Sequence, residues 1–201
     1  TVTDSKNCSD TASIAITQPS ILVASITLDS NVACNGLSNG AATASATGGT
    51  VNYSYAWSNS SVNASNVGLI ANAYLVTITD NRNCTDTASI TITQPAILVA
   101  SVTLDSNVSC YGYSDGAATA SAIGGTVNYS YAWSNNSANA NNTGLMANAY
   151  VVTVTDSKNC TDTASITITQ PIQVIVSFTN PAAVCANSGA FALSGATPTG
   201  G

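Results

Sequence analysis

An internal repeat constrains this chain more than any other feature of its sequence. Its period is the interval from Cys8 to Cys84, which recurs from Cys84 to Cys160. A shift by this interval superimposes TVTDSKNC at 1–8 on TITDNRNC at 77–84 and on TVTDSKNC at 153–160. Residues 20–95 align with 96–171 without a gap, and 60 of the 76 positions are identical. A fixed period of this length is typical of tandem structural units, so we expect two complete copies of one small domain.

The two ends of the chain match parts of the same unit. Residues 1–19 correspond to the C-terminal part of a preceding repeat, and residues 172–201 to the N-terminal part of a following, diverged repeat. We therefore expect this sequence to be a piece from inside a longer protein. A unit as short as 20–95 is small for an independent core, which predicts added stabilisation by cross-links or by neighbouring repeats.

Alternation of apolar and polar residues predicts β-strands throughout each repeat. In the second repeat the alternating runs are 98–104, 118–122, 129–133, 150–154 and 164–168. The Asn-rich stretch 135–143 lacks strong periodicity, and we expect one or two short edge strands there. Turn residues separate the runs at Asp115-Gly116, Gly124-Gly125 and 156–159. Six or seven short strands of this kind indicate an all-β fold of tandem immunoglobulin-like sandwiches in an extended array.

The aromatic strand of each repeat supplies candidate core anchors. Its Tyr-x-Tyr-x-Trp spacing puts Tyr55 with Trp57, and Tyr131 with Trp133, on one face of the strand. Because the rings all point the same way, we interpret them as core residues rather than as a platform for stacking sugars.

The charge composition excludes several classes of function. The chain has no His and no Glu, nine Asp, three Lys plus Arg, and a formal net charge of −6. Acid–base catalysis near neutral pH ordinarily needs His or a tuned Glu or Lys, and nucleic-acid binding needs a basic surface. We therefore predict no enzyme activity and no nucleic-acid partner. No apolar run approaches the ~18 residues of a membrane span, so no membrane insertion is predicted.

The six cysteines recur at alternating short and long intervals, at positions 8, 34, 84, 110, 160 and 185. This pattern indicates structural disulfides formed in an oxidising compartment rather than a zinc site. We favour pairing within each repeat, Cys34 with Cys84 and Cys110 with Cys160, because it keeps each repeat self-contained. Strict sandwich topology would place those partners at opposite ends of the domain, and the alternative is Cys34 with Cys160. The remaining cysteines, which would bond partners outside this sequence, are Cys8 and Cys185.

Aspartates near the repeat junctions are candidates for binding structural calcium, which takes several oxygen ligands. No dense Asp-x-Asp-x-Asp loop occurs, so turn and capping roles are the simpler interpretation. No other metal or cofactor is predicted. The candidates are Asp29, Asp80, Asp86, Asp105, Asp156 and Asp162.

The second repeat resembles the SprB repeat of very large Bacteroidota surface proteins over SCYGYSDGAATASAIGGTVNYSYAWS at 109–134 and GLMANAYVVTVTDSKNCTDTASITITQP at 144–171. The same pattern recurs at 33–58 and 68–95. The resemblance implies an extracellular, cell-surface adhesin of the gliding-motility type, exported by the type IX secretion system. Its Cys-x-Gly-x-x-Asp-Gly element is altered in the first repeat, where Asn39 stands in place of Asp115.

Three Asp-Thr-Ala tripeptides match an Asp-hydroxyl-apolar pattern that is used for O-glycosylation in Bacteroidota. Attached glycan would add solubility to a surface with few charges. The predicted acceptors are Thr11, Thr87 and Thr163.

The leading interpretation of function is a non-catalytic stalk or filament with weak, multivalent attachment to polysaccharide or abiotic surfaces. Expected partners are neighbouring repeats of the same chain, and motility or secretion machinery that acts on other parts of the protein. The alternatives are a pure spacer, a filament that self-assembles through exposed edges, and a carbohydrate-binding module. The last would use Tyr111 and Tyr113, which are replaced by Asn35 and Leu37 in the first repeat.

Overall fold

The described part of the chain folds entirely as β-structure, as the alternating pattern predicts. The computed structural model describes residues 1–176 and the backbone of residues 198–199, and no helix occurs among them. The chain divides into two compact units, Thr1–Val32 with Gly36–Gln94, and Ala33–Asn35 with the chain from Pro95 onward. A helix with the length and apolar character to cross a membrane is absent from the described residues.

The first unit is a sandwich of two three-stranded antiparallel sheets. A short hairpin of β1 (Val2–Thr3) and β2 (Ser9–Asp10) precedes it. The sandwich strands are β3 (Val23–Ser30), β4 (Gly40–Thr47), β5 (Ser54–Trp57), β6 (Ser65–Leu69), β7 (Asn72–Thr79) and β8 (Thr85–Ile92). They form the sheets β3-β4-β6 and β5-β7-β8. This order matches a constant-type immunoglobulin sandwich that lacks one edge strand.

The second unit repeats this arrangement strand for strand. Its strands are β9 (Val99–Ser106), β10 (Gly116–Ile123), β11 (Ser130–Trp133), β12 (Asn141–Leu145), β13 (Asn148–Thr155) and β14 (Thr161–Ile168). The sheets are β9-β10-β12 and β11-β13-β14. A two-residue pair, β15 (Ile175–Val176) with β16 (Pro198–Thr199), follows. The Asn-rich stretch therefore supplies one edge strand, β12.

Each unit buries one core between its two sheets. Along β7 the residues Tyr74, Val76 and Ile78 are buried, while Leu75 between them is exposed, so the period of two separates core from surface. Ile92 at the end of β8 is 1 % exposed. A core of this kind contributes through apolar area removed from water, at about 25 cal/mol per Å².

The aromatic strands carry their rings into these cores. Trp57 is 4 % exposed and Trp133 is 3 % exposed. Tyr55 packs against the core of the first unit, and Tyr131 against that of the second. Rings buried between the sheets cannot stack on a ligand in solvent, so the structure gives them a packing role.

The Asn-rich stretch closes over the tryptophan of the second unit. The Trp133 indole N–H donates to the Asn139 carbonyl oxygen over 2.9 Å. The amides of Asn135 and Asn142 exchange two hydrogen bonds of 3.2 and 3.1 Å, which satisfies Asn142 at 3 % exposure. Buried amides need such partners. Hydrogen bonds therefore order this stretch. Because it does not rely on apolar packing, its sequence shows no alternation of apolar and polar residues.

Asp115-Gly116 marks the boundary between the two strand runs as predicted, but only Asp115 belongs to the loop that joins β9 to β10. Gly116 is buried and opens β10. A Cβ at this position would lie 2.8 Å from Ile168 Cγ2 and 2.9 Å from the Leu145 carbonyl oxygen. Glycine is needed here because two neighbouring chain segments approach closely, not because the backbone turns.

Candidate functional site

A disulfide joins the loop that follows β3 to the turn between β13 and β14. Cys34 and Cys160 are bonded, with their Cα atoms 5.7 Å apart. The Cys160 sulfur also lies 3.5 Å from the Ala33 carbonyl oxygen. Ala33–Asn35 belongs to the second compact unit, so the bond lies within that unit while linking the first sequence repeat to the second.

The edge strands β3 and β8 run side by side in the same direction. Near their starts, the Ala24 N–H donates to Asp86 Oδ2 over 2.7 Å. Beyond their ends, the Val32 N–H donates to the Thr93 carbonyl oxygen over 3.0 Å. Because of these two contacts, the segments that precede β3 and β8 lie at one end of the sandwich, and the segments that follow them lie at the other end.

This geometry corrects the disulfide pairing that we favoured from the sequence. Cys84 precedes β8 and Cys34 follows β3, so the eight residues of β8 separate them. At ~3.3 Å per residue that is about 25 Å, whereas a disulfide needs Cα atoms within ~7 Å. The second repeat has the same topology, so Cys110 and Cys160 are separated in the same way. The within-repeat pairs Cys34–Cys84 and Cys110–Cys160 are replaced by the alternative pair Cys34–Cys160.

Each cysteine-bearing turn is built around one aspartate. Asp156 Oδ1 accepts the N–H groups of Lys158 and Cys160 over 2.8 and 2.9 Å. Asn159 has a φ of 63°, a left-handed conformation that Asn tolerates better than most residues. The pattern Asp-x-x-Asn-Cys therefore fixes the backbone that presents the thiol. The same two aspartate hydrogen bonds form in the other copies of the turn, at 4–8 and 80–84.

The second oxygen of the aspartate ties the turn to the rest of its unit. Asp156 Oδ2 accepts the Thr126 N–H over 2.7 Å, and Asp80 Oδ2 accepts the Thr50 N–H over 2.7 Å. The Thr50 N–H is the largest influence on the pKa of Asp80 and lowers it against the effect of burial. For Asp156 burial is the largest influence, but the backbone donors together outweigh it and the pKa is also lowered. Both groups therefore stay ionised as hydrogen-bond acceptors at neutral pH.

The cysteine-bearing loops are held by a glutamine that follows the last strand of the repeat. The Gly36 N–H donates to Gln94 Oε1 over 2.8 Å, and the Gly112 N–H donates to Gln170 Oε1 over 2.8 Å. The two glycines have φ values of 80° and 79°, which favour glycine. The sequence signal for this role is the recurrence of Gln-Pro at 18–19, 94–95 and 170–171.

The loop of the second repeat carries features that the first lacks. Asp115 accepts hydrogen bonds from the Ser109 hydroxyl and, over 3.0 Å, from the Ser109 N–H. The hydroxyl is the main cause that lowers the pKa of Asp115. Tyr111 and Tyr113, the candidate sugar-binding rings, are 51 % and 59 % exposed. Ala33 and Asn39 stand at the positions of the Ser–Asp pair in the first repeat, so any site built on it would not recur.

The calcium candidates do not form a cluster. Asp29 Oδ2 accepts the Thr43 hydroxyl over 2.7 Å, and Asp105 Oδ2 accepts the Thr119 hydroxyl over 2.7 Å. Within residues 1–176 no three side chains of His, Cys, Asp or Glu come together in a way that could hold a metal ion. The aspartates serve instead as acceptors within loops and between strands.

The outward face of the sheet β5-β7-β8 bears hydroxyls. Its β8 residues Thr85, Thr87, Ser89 and Thr91 are exposed, and Thr77 lies directly opposite Thr87 on β7. The equivalent outward residues of β14 are Thr161, Thr163, Ser165 and Thr167. None of these residues is charged. The predicted glycosylation acceptors are exposed at Thr11, Thr87 and Thr163.

Three cysteines are free in the described part of the chain. Cys8, Cys84 and Cys110 are all exposed. Cys8 was expected to bond a partner outside this sequence and has none within residues 1–176. Cys185 lies outside the described residues.

Comparison with known families gives two matches at equivalent places in the two repeats. Residues 30–62 and 106–138 match the family model described as the SprB repeat. Each match begins at the end of the first sandwich strand, contains the cysteine-bearing loop and extends past the aromatic strand. No curated protein matches the chain.

Proposed function

Because the chain carries two SprB repeats, we propose that it is a non-enzymatic segment of an exported cell-surface adhesin. In this proposal the repeats attach weakly to neutral polysaccharide, and many copies act together. Linking many weak sites raises the overall affinity through effective concentration, without a strong site on any one repeat.

The observation that carries this proposal is the uncharged hydroxyl face of each unit. Thr85, Thr87, Ser89 and Thr91 recur every second residue along β8 and all face outward. Alternate residues of a strand lie ~6.6 Å apart, so β8 presents a regularly spaced row of hydroxyl donors and acceptors, and Thr77 on β7 lies opposite Thr87. Sugar hydroxyls can exchange hydrogen bonds with such a row, each with a net value of only about 0.5–1.5 kcal/mol.

The lack of charge on this face suits a neutral ligand. An ionic partner would need opposite charges, and only 6 % of residues in the chain are charged. Hydroxyl contacts carry no ionic-strength dependence of the kind that charged contacts show. Attachment by this face should therefore persist when salt is raised.

The proposal extends to attachment during gliding motility and to export by the type IX system, on the strength of the resemblance of 109–134 and 144–171 to repeats of such adhesins. It places the segment outside the cell. Antibody raised against this chain should then label intact cells that produce the protein, and protease added to those cells should remove the label. Labelling that requires permeabilised cells would refute export.

A competition experiment tests the adhesive role. The purified chain, in excess, should inhibit attachment of producing cells to a polysaccharide-coated surface. A variant with Ser89→Glu and Ser165→Glu places one charge on each hydroxyl face and should lose inhibition. A matched control with Val51→Glu and Val127→Glu adds the same charge at loop positions that are 68 % and 69 % exposed, and should inhibit like the unmodified chain.

The spacer alternative predicts a different result. If the repeats only separate other parts of the protein, the unmodified chain will not inhibit attachment at any concentration. Equal inhibition by the unmodified chain and by the Ser89→Glu, Ser165→Glu variant would keep an adhesive role but reject the hydroxyl face as its site.

A further inference from the structure

The two repeats present equivalent cysteines in different chemical states. The loop cysteine of the first repeat, Cys34, is bonded, whereas its equivalent Cys110 is a free, exposed thiol. The turn cysteine of the second repeat, Cys160, is bonded, whereas its equivalent Cys84 is free and exposed. Cys34 and Cys160 are both partly buried, so the bonded pair is more shielded from solvent than the free cysteines.

The backbone around each free cysteine is already set for the bonded arrangement. The loop of Cys110 is anchored by the same 2.8 Å hydrogen bond to a glutamine as the loop of Cys34. The turn of Cys84 has the same aspartate hydrogen bonds as the turn of Cys160. Neither geometry depends on the disulfide, because it is present where no disulfide exists.

An open groove lies beside Cys110, and another lies beside Cys84. Cys110 lines a groove of about 410 Å³ together with Tyr111, Pro171, Ile172 and Val174. Pro171, Ile172 and Val174 belong to the segment that leads out of the second repeat. In the first repeat the corresponding segment begins at Pro95, whose carbonyl oxygen accepts the Asn35 side-chain N–H over 2.9 Å, beside the bonded Cys34.

A second groove of about 350 Å³ lies at the other end of the first repeat. It is lined by Cys84, by Pro19, Ile21 and Leu22 of the segment that leads into the repeat, and by Gly49. One groove therefore contains a loop cysteine and the other a turn cysteine, and the Cys34–Cys160 bond joins one cysteine of each kind.

We propose that the Cys110 groove receives the Asp-x-x-Asn-Cys turn of the next repeat in the array, and that Cys110 forms a disulfide with the cysteine of that turn. The observed disulfide identifies this occupant. Among the described residues, the turn 156–160 of the second repeat is bonded to the loop cysteine of the first repeat, Cys34, so the loop cysteine of the second repeat is expected to bond the turn of the repeat after it. By the same rule Cys84 bonds the loop cysteine of the preceding repeat. Each repeat is then cross-linked to both of its neighbours.

The bond is formed by an ordinary thiol oxidation. Two Sγ–H bonds break, one Sγ–Sγ bond forms, and two protons and two electrons leave. A small-molecule disulfide such as oxidised glutathione takes up both and is reduced to two thiols. Oxidising compartments outside the cytoplasm support this chemistry.

The test inserts a third complete repeat into the full chain. A second copy of residues 96–171 is placed after Pro171, and that copy alone carries Tyr113→Phe and Lys158→Arg as mass tags. The protein is oxidised with glutathione, its free thiols are alkylated, and it is cut on the N-terminal side of aspartate. Every cysteine then falls in a separate peptide, and the tags distinguish the two copies of 105–114 and of 156–161.

The proposal predicts that the original peptide 105–114 is linked to the tagged peptide 156–161, while the tagged peptide 105–114 is recovered alkylated. The link of Cys34 to the original Cys160 should remain. Adding Cys110→Ser to the three-repeat chain should leave the tagged turn cysteine alkylated and change nothing else. The proposal is overturned if Cys110 is recovered alkylated, if the two tagged peptides are linked to each other, or if insertion abolishes the Cys34–Cys160 link.

Discussion

Replacing Gly48 with alanine should destabilise the first repeat far more than replacing Gly36 with alanine. Both glycines have positive φ, 72° and 80° respectively, so both substitutions force alanine into the left-handed region. They differ in what the new Cβ meets. At Gly48 it would lie 1.9 Å from the Ile21 carbonyl oxygen, whereas at Gly36 nothing lies within 4 Å.

The magnitude follows from that difference. The left-handed conformation costs alanine about 1–2 kcal/mol at either site. At Gly48 the backbone must also shift, because the 1.9 Å approach has to open to an ordinary contact of at least 3.4 Å. Overpacking of this kind costs about 1–3 kcal/mol, and loss of the adjacent hydrogen bond costs about 1 kcal/mol more. That bond joins the Gly49 N–H to the Ser20 carbonyl oxygen over 2.8 Å. We expect a loss of about 3–6 kcal/mol for Gly48→Ala against about 1–2 kcal/mol for Gly36→Ala.

Urea unfolding followed by tryptophan fluorescence measures both losses. Each repeat contains one tryptophan, so a Trp133→Phe background lets Trp57 report on the first repeat alone. Gly124→Ala repeats the experiment in the second repeat, where the Cβ would lie 1.9 Å from the Ile97 carbonyl oxygen. If the two variants, Gly48→Ala and Gly36→Ala, lose unfolding free energy to within about 0.5 kcal/mol of each other, the close approach of Ile21 to Gly48 would be refuted.

The core and the buried carboxylates each give a further prediction. Ile168 is 1 % exposed, so Ile168→Ala should lower the free energy of unfolding in urea by about 2–5 kcal/mol. Ile123 in the same repeat is 71 % exposed, so Ile123→Ala should change it by no more than about 0.5 kcal/mol. Similar losses for the two variants would contradict the assignment of the core. Acid should also destabilise the fold, because the lowered pKa of Asp80 means that the unfolded chain binds more protons. The contribution of Asp80 to stability is complete above its unfolded-state pKa of ~3.9 and is lost as pH falls through its lower folded-state pKa. Asp80→Asn should therefore flatten the dependence of Tm on pH below about pH 5. An unchanged slope would contradict the role of the carboxylate.

The strands that sequence reasoning located are those whose pattern is local. In β13, alternate side chains enter the core, so apolar residues recur at every second position of its sequence. The edge strand β12 was harder to find, because one of its buried positions is Asn142, held by the Asn135 amide rather than by apolar packing. The close approach at Gly116 was also hidden, since glycine before a strand resembles a turn signal.

The disulfide could not be derived from the sequence for a different reason. The alternating short and long intervals between cysteines fit both pairings equally, and the choice depends on which end of the sandwich each segment occupies. That placement follows from the parallel neighbours β3 and β8, which lie far apart in the sequence. The role of Gln94 as the anchor of the cysteine loop is likewise a contact over 58 residues, which no local pattern reveals.

Disulfide mapping of the unreduced chain tests the central claim most directly. Cleavage on the N-terminal side of aspartate separates Cys34 into peptide 29–79, Cys84 into 80–85, Cys110 into 105–114 and Cys160 into 156–161. The account predicts that 29–79 is linked to 156–161, and that 80–85 and 105–114 are recovered with alkylated thiols. A link of 29–79 to 80–85, together with one of 105–114 to 156–161, would show self-contained repeats and contradict the account.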